Sequence, residues 1–193
     1  MKKIMFCDRY GLTEAVLTGR KTMTRRIVPP IDYVAPKKYQ PRYDKGDVVA
    51  VAQRYKDVIR IAYCDESVWQ FLVEKDLMQS GGAIDTRLCT SAGYDNKMFV
   101  RADLMPHRIR ITSINVELLQ DISDEDCLKE GVEKWMDCYI VSGIMERGGK
   151  SNICFDTPRE AFSALIDRIS GRGTWKSNPW VVAYEFELIN KED

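Results

Sequence analysis

The sequence has a single histidine, His107, and its six cysteines include no Cys-x-x-Cys pair. Tetrahedral zinc sites use such ligands at short spacings, so we expect no metal site and no cofactor. No apolar run reaches the roughly 20 residues of a bilayer-spanning helix, and the run after Met1-Lys2-Lys3 is too short for a secretory signal. We therefore expect a cytoplasmic protein that makes no membrane contact.

The cysteines are scattered over the chain, at Cys7, Cys64, Cys89, Cys127, Cys138 and Cys154. In a reducing compartment, cysteine behaves as a small apolar side chain. We interpret these residues as reduced thiols that mostly fill the core.

The chain also lacks a glycine-rich loop of either common nucleotide-binding type. Its formal net charge is zero, with 29 Lys and Arg against 29 Asp and Glu, which argues against broad, sequence-independent duplex binding. The charge is uneven, because residues 1–60 hold 14 basic and 6 acidic side chains. This asymmetry is typical of a local anion or nucleotide site, but two complementary faces within one fold would produce it as well.

Hydrophobic patterning predicts short strands with a few helices between them. Strands are predicted at 48–52, 58–63, 68–73, 108–117 and 180–188, with a loop at 79–94. Helices are predicted after Asp8, between Ser123 and Gly131, and between Thr157 and Gly171, where capping residues mark the ends. A chain of 193 residues with 45% hydrophobic content can bury one core, so we predict a single α+β domain around a barrel-like or strongly bent sheet.

Residues 19–26 form a cationic corner, Gly19-Arg20-Lys21-Thr22-Met23-Thr24-Arg25-Arg26, directly after the first predicted helix. Lys21 and Thr24 share a face only if the backbone is helical or turn-like. In that case Lys21 could accept the proton of a Thr24 nucleophile, provided that burial and the neighbouring arginines lower the lysine pKa. Two other interpretations stay open: a solvated helix end that complements the helix dipole, or arginines that bind phosphate while a threonine contacts a base or sugar.

Glu130 differs from the other acidic residues because it ends the helix predicted after Ser123. The helix dipole opposes a negative charge at that end, which suits a carboxylic acid that donates a proton. An exposed glutamate at a helix end is also common, so this position does not by itself indicate a site.

Four segments, in this order, resemble the ASCH domain family of the PUA-like superfamily. They are Gly19-x-Lys21-x-x-Thr24-x-Arg26 after a short helix, Lys45-Gly46-Asp47 before a strand, Leu119-Gln120-Asp121-Ile122-Ser123 before a helix that ends at Glu130-Gly131, and Asn178-Pro179-Trp180 at the start of the last strand. The resemblance is strongest to bacterial and phage-associated ASCH proteins and covers most of residues 1–193, with 64–97 and 132–156 as insertions. It implies a PUA-like small bent β-barrel with flanking short helices.

The family resemblance implies recognition of RNA or of a modified nucleobase or nucleoside in a cationic cleft. One bacterial branch with similar motifs consists of amidohydrolases that deacetylate N4-acetylcytidine without a metal. Applied to this sequence, the resemblance makes Lys21 the proton acceptor, Thr24 the nucleophile and Glu130 the proton donor. The cleft also places Arg20, Thr22, Arg25, Arg26 and Gln53 in substrate binding, although related phage proteins often have glutamate where this chain has Gln53.

Three functions therefore stay open. The first is recognition of RNA or a modified nucleoside, and the second is deacylation of an N4-acylated cytidine. The third is a phage-associated protein-interaction module that uses residues 132–156, with an unknown protein partner.

Overall fold

The computed structural model describes residues 1–29, 39–79, 81–146, 148–149 and 151–189. In chain order, its elements are β1 (Lys3–Ile4), α1 (Leu12–Leu17), β2 (Met23–Ile27), β3 (Val48–Val51), α2 (Tyr55–Ala62), α3 (Glu66–Glu74), α4 (Thr86–Thr90), β4 (Arg108–Leu118), α5 (Asp124–Lys129), β5 (Glu133–Trp135), β6 (Cys138–Ile140), α6 (Pro158–Ser170), α7 (Thr174–Ser177) and β7 (Trp180–Ile189). Short helices interspersed with mixed strands confirm the α+β class. Within these described ranges, no helix is both long and apolar enough to cross a bilayer.

The chain folds as two compact units. The described residues of unit 1 are 1–6, 48–110 and 188–189, and those of unit 2 are 7–47 and 111–187, with the gaps given above. The single domain with insertions at 64–97 and 132–156 stays a prediction.

Each unit has its own strand pairing. In unit 1, β1 runs parallel to β3, and β3 runs antiparallel to the start of β4, with Val49 opposite Ile109. In unit 2, β7 lies between β4 and β2, and β2 is antiparallel to β7, with Thr24 opposite Tyr184. β2 therefore carries residues of the cationic corner as a regular strand.

Two segments of unit 1 that the sequence analysis predicted as strands, 58–63 and 68–73, are parts of helices α2 and α3. In α2 the buried side chains are Tyr55, Val58, Ile59 and Ala62, which follow the helical period of three and four residues. The strand prediction is wrong because that period emerges only when the residues before 58 are included. α4 likewise interrupts the predicted loop at 79–94.

The other predicted strands and the three predicted helices are confirmed, but Asp8 does not cap the first helix, because a 3-10 turn spans Asp8–Tyr10 and α1 begins after Gly11. The strands at 48–52, 108–117 and 180–188 are β3, β4 and β7. Ser123 caps α5 by accepting a hydrogen bond from the Asp126 amide at 3.1 Å, and Thr157 and Glu160 form a reciprocal capping box at α6. Gly131 follows α5 with φ 105°, a conformation that favours glycine. These start and stop signals fix where α5 ends, and Glu130 is its C-cap.

The cysteines depart from the prediction. Cys138 and Cys154 form a disulfide, whereas Cys64 and Cys89 are exposed thiols and Cys7 is half-buried. Cys127 alone fills the core as predicted, and burial raises the pKa of its thiol to about 12. Spacing without a Cys-x-x-Cys pair therefore did not exclude a disulfide.

We expect the protein, denatured without reductant, to react with four equivalents of a thiol reagent, and with six after reduction. Because the disulfide joins residues 16 positions apart, it restricts the unfolded chain, and Cys138→Ser/Cys154→Ser should lose about 3 kcal/mol of unfolding free energy in denaturant titrations. Cys64→Ser/Cys89→Ser, which replaces two exposed thiols, is the control. Six reactive thiols before reduction would contradict the pairing.

Candidate functional site

Lys21 and Glu130 meet in the interior of unit 2. The Lys21 ammonium donates to Glu130 Oε2 at 2.6 Å and to the Glu130 backbone carbonyl at 2.7 Å. Only 1% of the Lys21 side chain and 6% of the Glu130 side chain are exposed. Removing such charges from water costs several kcal/mol per ion, and direct pairing offsets much of this cost.

Local structure brings the two residues together. Gly19, with φ 74°, turns the chain after α1, and the amide of Lys21 then donates to the Ala15 carbonyl at 2.8 Å. A side chain at Gly131 would place its Cβ 3.0 Å from Leu12 Cδ2 and 3.7 Å from Lys21 Cδ. Glycine at 131 therefore leaves the space in which α1 and the Lys21 stem pack against the end of α5.

The surroundings favour the neutral form of the Lys21 amine. Burial lowers the pKa of Lys21, the Glu130 carboxylate opposes this effect, and the nearby Arg26 and Arg25 guanidinium groups lower the pKa further. The net direction is downward from the usual value of 10.5. The sequence analysis required a lowered lysine pKa, and the geometry provides its cause.

Arg25 is surrounded by carboxylates. Its guanidinium contacts Glu117 Oε1 at 2.7 Å, Asp126 Oδ2 at 3.1 Å and Glu130 Oε1 at 3.3 Å, and its side chain is 1% exposed. Burial works against the charge of Arg25, but Glu130 and Glu117 outweigh it, so its pKa is raised. The charged side chains around Arg25 form one cluster. Its members are Lys21, Arg25, Glu117, Asp126 and Glu130.

The sequence analysis missed two members of this cluster, Glu117 and Asp126. Asp126 precedes Glu130 by four residues on the C-capped helix α5, and i, i+4 spacing places both on one helix face. That signal was present in the sequence. Glu117 lies on β4, and no local pattern distinguishes it from the other strand residues.

Thr24 is buried on β2, 5% exposed, in register with Tyr184 of β7. Successive side chains of a strand point to opposite faces, so Thr24 projects to the face opposite Arg25. On the Arg25 face of β2, Arg25 Nη1 also lies 3.0 Å from Met23 Sδ. Residues 23–27 are extended, so this stretch does not have the turn-like backbone that would align Lys21 and Thr24 by spacing alone.

The remaining predicted site residues have varied environments. Arg20 is half-exposed and pairs with Glu133 at 2.6 Å on the surface of unit 2. Thr22 holds the chain through its backbone, accepting from the Phe186 amide at 2.8 Å and donating to the Lys129 carbonyl at 3.0 Å. Arg26 is exposed on β2 as a whole residue, but burial around its guanidinium lowers its pKa.

Gln53 belongs to unit 1, where it is buried and its Oε1 lies 2.7 Å from His107 Nδ1. Because an amide oxygen only accepts, His107 Nδ1 carries the proton of this hydrogen bond. The role of Gln53 in substrate binding stays a prediction.

Unit 2 also contains an open surface pocket of about 490 Å³, whose described lining does not include Lys21, Thr24 or Glu130. Its described lining consists of chain neighbours of the buried pair and of β5: Arg20, Glu125, Leu128, Lys129, Gly131, Val132, Glu133 and Lys134. This volume lies within the range of small-molecule sites, about 300–1,000 Å³. Across the described part of the chain, no three His, Cys, Asp or Glu residues are arranged to hold a metal ion.

The sequence matches no known family model and no curated protein. Among solved structures, the chain is similar to an ASCH domain from Lactobacillus crispatus JV V101. The TM-score is 0.39 and the identity 12%, over 97% of this chain and 78% of that chain. A likeness at this level carries no argument for this chain, so the proposals below depend on the geometry of unit 2.

Proposed function

We propose that the chain is a metal-independent amidohydrolase that removes the acyl group from the exocyclic amine of a nucleobase, such as that of N4-acetylcytidine. The observation that carries the chemistry is the buried Lys21–Glu130 pair, 2.6 Å apart. Amide cleavage needs a base that activates the nucleophile and an acid that protonates the leaving amine. The substrate class comes from the family resemblance of residues 19–26 and 119–131.

The buried pair suits both roles at once. A proton that moves from the Lys21 ammonium to the Glu130 carboxylate yields an amine and a carboxylic acid without changing the net charge of the cluster. The forces that lower the Lys21 pKa favour this neutral form of the lysine.

In the proposed reaction, Thr24 Oγ1 attacks the acyl carbon while Lys21 Nζ accepts the hydroxyl proton. The carbon–nitrogen bond then breaks, and the Glu130 carboxylic acid protonates the leaving amine. Water next hydrolyses the Thr24 ester and releases the free acid, which restores the hydroxyl. The first step, the attack by Thr24, requires that Thr24 Oγ1 lies within hydrogen-bond reach of Lys21 Nζ in the substrate complex.

The test is deacetylation of N4-acetylcytidine, followed by absorbance. We expect Thr24→Val to lower kcat at least about 100-fold, because the nucleophile is removed, and Thr24→Ser to retain part of the activity. Thr13→Val is the matched control, since Thr13 is a buried threonine of α1 whose hydroxyl donates to Asp8. An inactive wild type at high enzyme concentration would refute the proposal for this substrate, and a fully active Thr24→Val would refute the nucleophile.

Recognition of RNA or a nucleoside without catalysis is the second candidate, and the exposure of Arg26 favours it. Of the predicted cationic surface, Lys21 and Arg25 are buried against carboxylates, and Arg20 pairs with Glu133, so Arg26 is the arginine of the corner that carries this candidate.

We expect Arg26→Ala to weaken binding of single-stranded RNA and to lower the salt slope by about 0.7 for each phosphate that the arginine neutralises, with an unchanged melting temperature. Fluorescence anisotropy at several salt concentrations measures both quantities. Arg101→Ala, which removes an exposed arginine of unit 1, is the control. Identical affinity and slope for wild type and Arg26→Ala would exclude Arg26 from an RNA site.

A further inference from the structure

The two carboxylate oxygens of Glu130 serve two different cations. Oε2 accepts from Lys21 Nζ at 2.6 Å, whereas Oε1 accepts from Arg25 Nη1 at 3.3 Å. A carboxylate that is bound at both oxygens cannot rotate without breaking one contact. The orientation of Glu130 toward Lys21 therefore depends on Arg25.

Arg25 is itself fixed by two further elements. Its Nε donates to Glu117 Oε1 on β4 at 2.8 Å, and its Nη2 donates to Asp126 Oδ2 on α5 at 3.1 Å. The guanidinium is planar, so these contacts also set the direction of Nη1. The position of Glu130 Oε1 therefore depends, through Arg25, on the positions of β4 and α5.

This arrangement differs from that of a residue that binds substrate phosphate. All three Arg25 nitrogens have carboxylate or sulfur partners, and the side chain is 1% exposed. A phosphate would have to displace the half-buried carboxylates of Glu117 and Asp126 or the buried carboxylate of Glu130 to reach it. We propose that Arg25 is a positioning residue that orients Glu130 toward Lys21, and that it does not contact substrate.

The catalytic consequence rests on the proposed hydrolase, but the orientation can be tested without turnover. The charged groups around the pair are Arg25, Arg26, Glu117, Asp126 and Lys129, which lies 3.7 Å from Asp126. Arg25→Lys keeps the positive charge but loses the planar guanidinium that holds Glu130 Oε1, so Glu130 can turn away from Lys21. The Glu130 carboxylate raises the pKa of Lys21, so this pKa should fall when Glu130 turns away.

The first readout is an NMR titration of protein with ¹³C,¹⁵N-labelled lysine, with Lys21→Arg used to assign the Lys21 resonance. We expect Arg25→Lys to move the Lys21 titration to lower pH, while Arg101→Lys, which changes an exposed arginine of unit 1, leaves it unchanged. If Arg25→Lys does not fold, Glu117→Gln, which removes the carboxylate that accepts from Arg25 Nε, should move the titration in the same direction. An unmoved Lys21 titration in a folded variant would overturn the proposal.

The second readout is steady-state kinetics with N4-acetylcytidine. Arg25→Lys keeps the charge but loses the planar guanidinium, so we expect kcat to fall about 100-fold, because Glu130 is misplaced, with KM within about twofold of wild type. A raised KM with unchanged kcat would instead make Arg25 a substrate ligand and overturn the proposal. A wild type without turnover would refute the hydrolase, and the titration would then decide the role of Arg25.

Discussion

Glu130→Gln should lower the free energy of unfolding by about 3–5 kcal/mol. The substitution keeps the shape of the side chain but removes its charge, and it leaves the ammonium of Lys21 in a site where only 1% of the side chain is exposed. Breaking one partner of a buried ion pair typically costs this much, because the remaining charge is buried without compensation. Chemical denaturation at neutral pH measures the loss.

The loss should depend on pH in a defined direction. Burial already lowers the pKa of Lys21, and Glu130 is the group that opposes this, so the variant lowers it further. In the window between that lowered pKa and the unfolded value near 10.5, the unfolded chain binds more protons, so stability rises with pH. Glu130→Gln should therefore recover stability as pH rises from the lowered Lys21 pKa to about pH 10, where unfolded lysine also begins to lose its proton.

The control for this prediction is Glu133→Gln, which breaks the half-exposed pair with Arg20. Exposed pairs contribute about 1 kcal/mol or less, so this variant should stay close to wild type. A double-mutant cycle with Lys21→Met isolates the coupling between Lys21 and Glu130. Equal losses for Glu130→Gln and Glu133→Gln would contradict the buried ion pair.

Lys21→Arg should abolish deacetylation while the protein stays folded. Arginine keeps the positive charge that Glu130 needs, but a guanidinium does not lose its proton at any working pH, so it cannot act as the base. General base catalysis contributes about 10²–10⁴-fold, and we expect kcat to fall by that factor. The same absorbance assay gives kcat, and circular dichroism verifies the fold.

The pH profile adds a second signature of this base. The proposed reaction starts with one proton on the Lys21–Glu130 pair, so in the wild type kcat/KM should fall when rising pH removes that proton and Glu130 can no longer protonate the leaving amine. Because the pKa of Lys21 is lowered, this fall should come below the ordinary lysine value of 10.5. Lys56→Arg is the control, because Lys56 forms an exposed pair with Asp95 in unit 1. Turnover by Lys21→Arg at the wild-type rate would exclude Lys21 as the proton acceptor.

The elements that could be predicted from sequence are those with local signals. Thr157 and Glu160 form a capping box that predicts the start of α6, and the apolar residues at alternate positions from Trp180 onward predict β7. Helix α2 lacks such a local signal: its N-cap, Arg54, forms no side-chain cap, and its apolar residues are β-branched and aromatic types that are common in strands. Local propensity therefore misled where packing of the helix decided the outcome.

The same distinction between local and non-local signals applies to the residues of the candidate site. Lys21 and Glu130 were chosen through a motif and a helix end, yet their contact joins positions 109 residues apart, which no local pattern specifies. The burial of Arg25 could not be predicted from local sequence either, because its carboxylate partners come from β4 and α5. The sequence analysis assigned Arg25 to substrate binding, and the positioning role proposed above is the alternative to that prediction.

The packing of the Lys21 side chain depends on the absence of a side chain at Gly131. With φ 105°, a larger residue at 131 would strain the backbone, and its Cβ, 3.0 Å from Leu12 Cδ2, would force Leu12 of α1 to shift by a few tenths of an ångström. The backbone of Lys21 is hydrogen-bonded to Ala15 of the same helix, so even an uncharged substitution at 131 acts next to the acid–base pair. The proton chemistry proposed for unit 2 is therefore exposed to steric change at a residue that has no side chain at all.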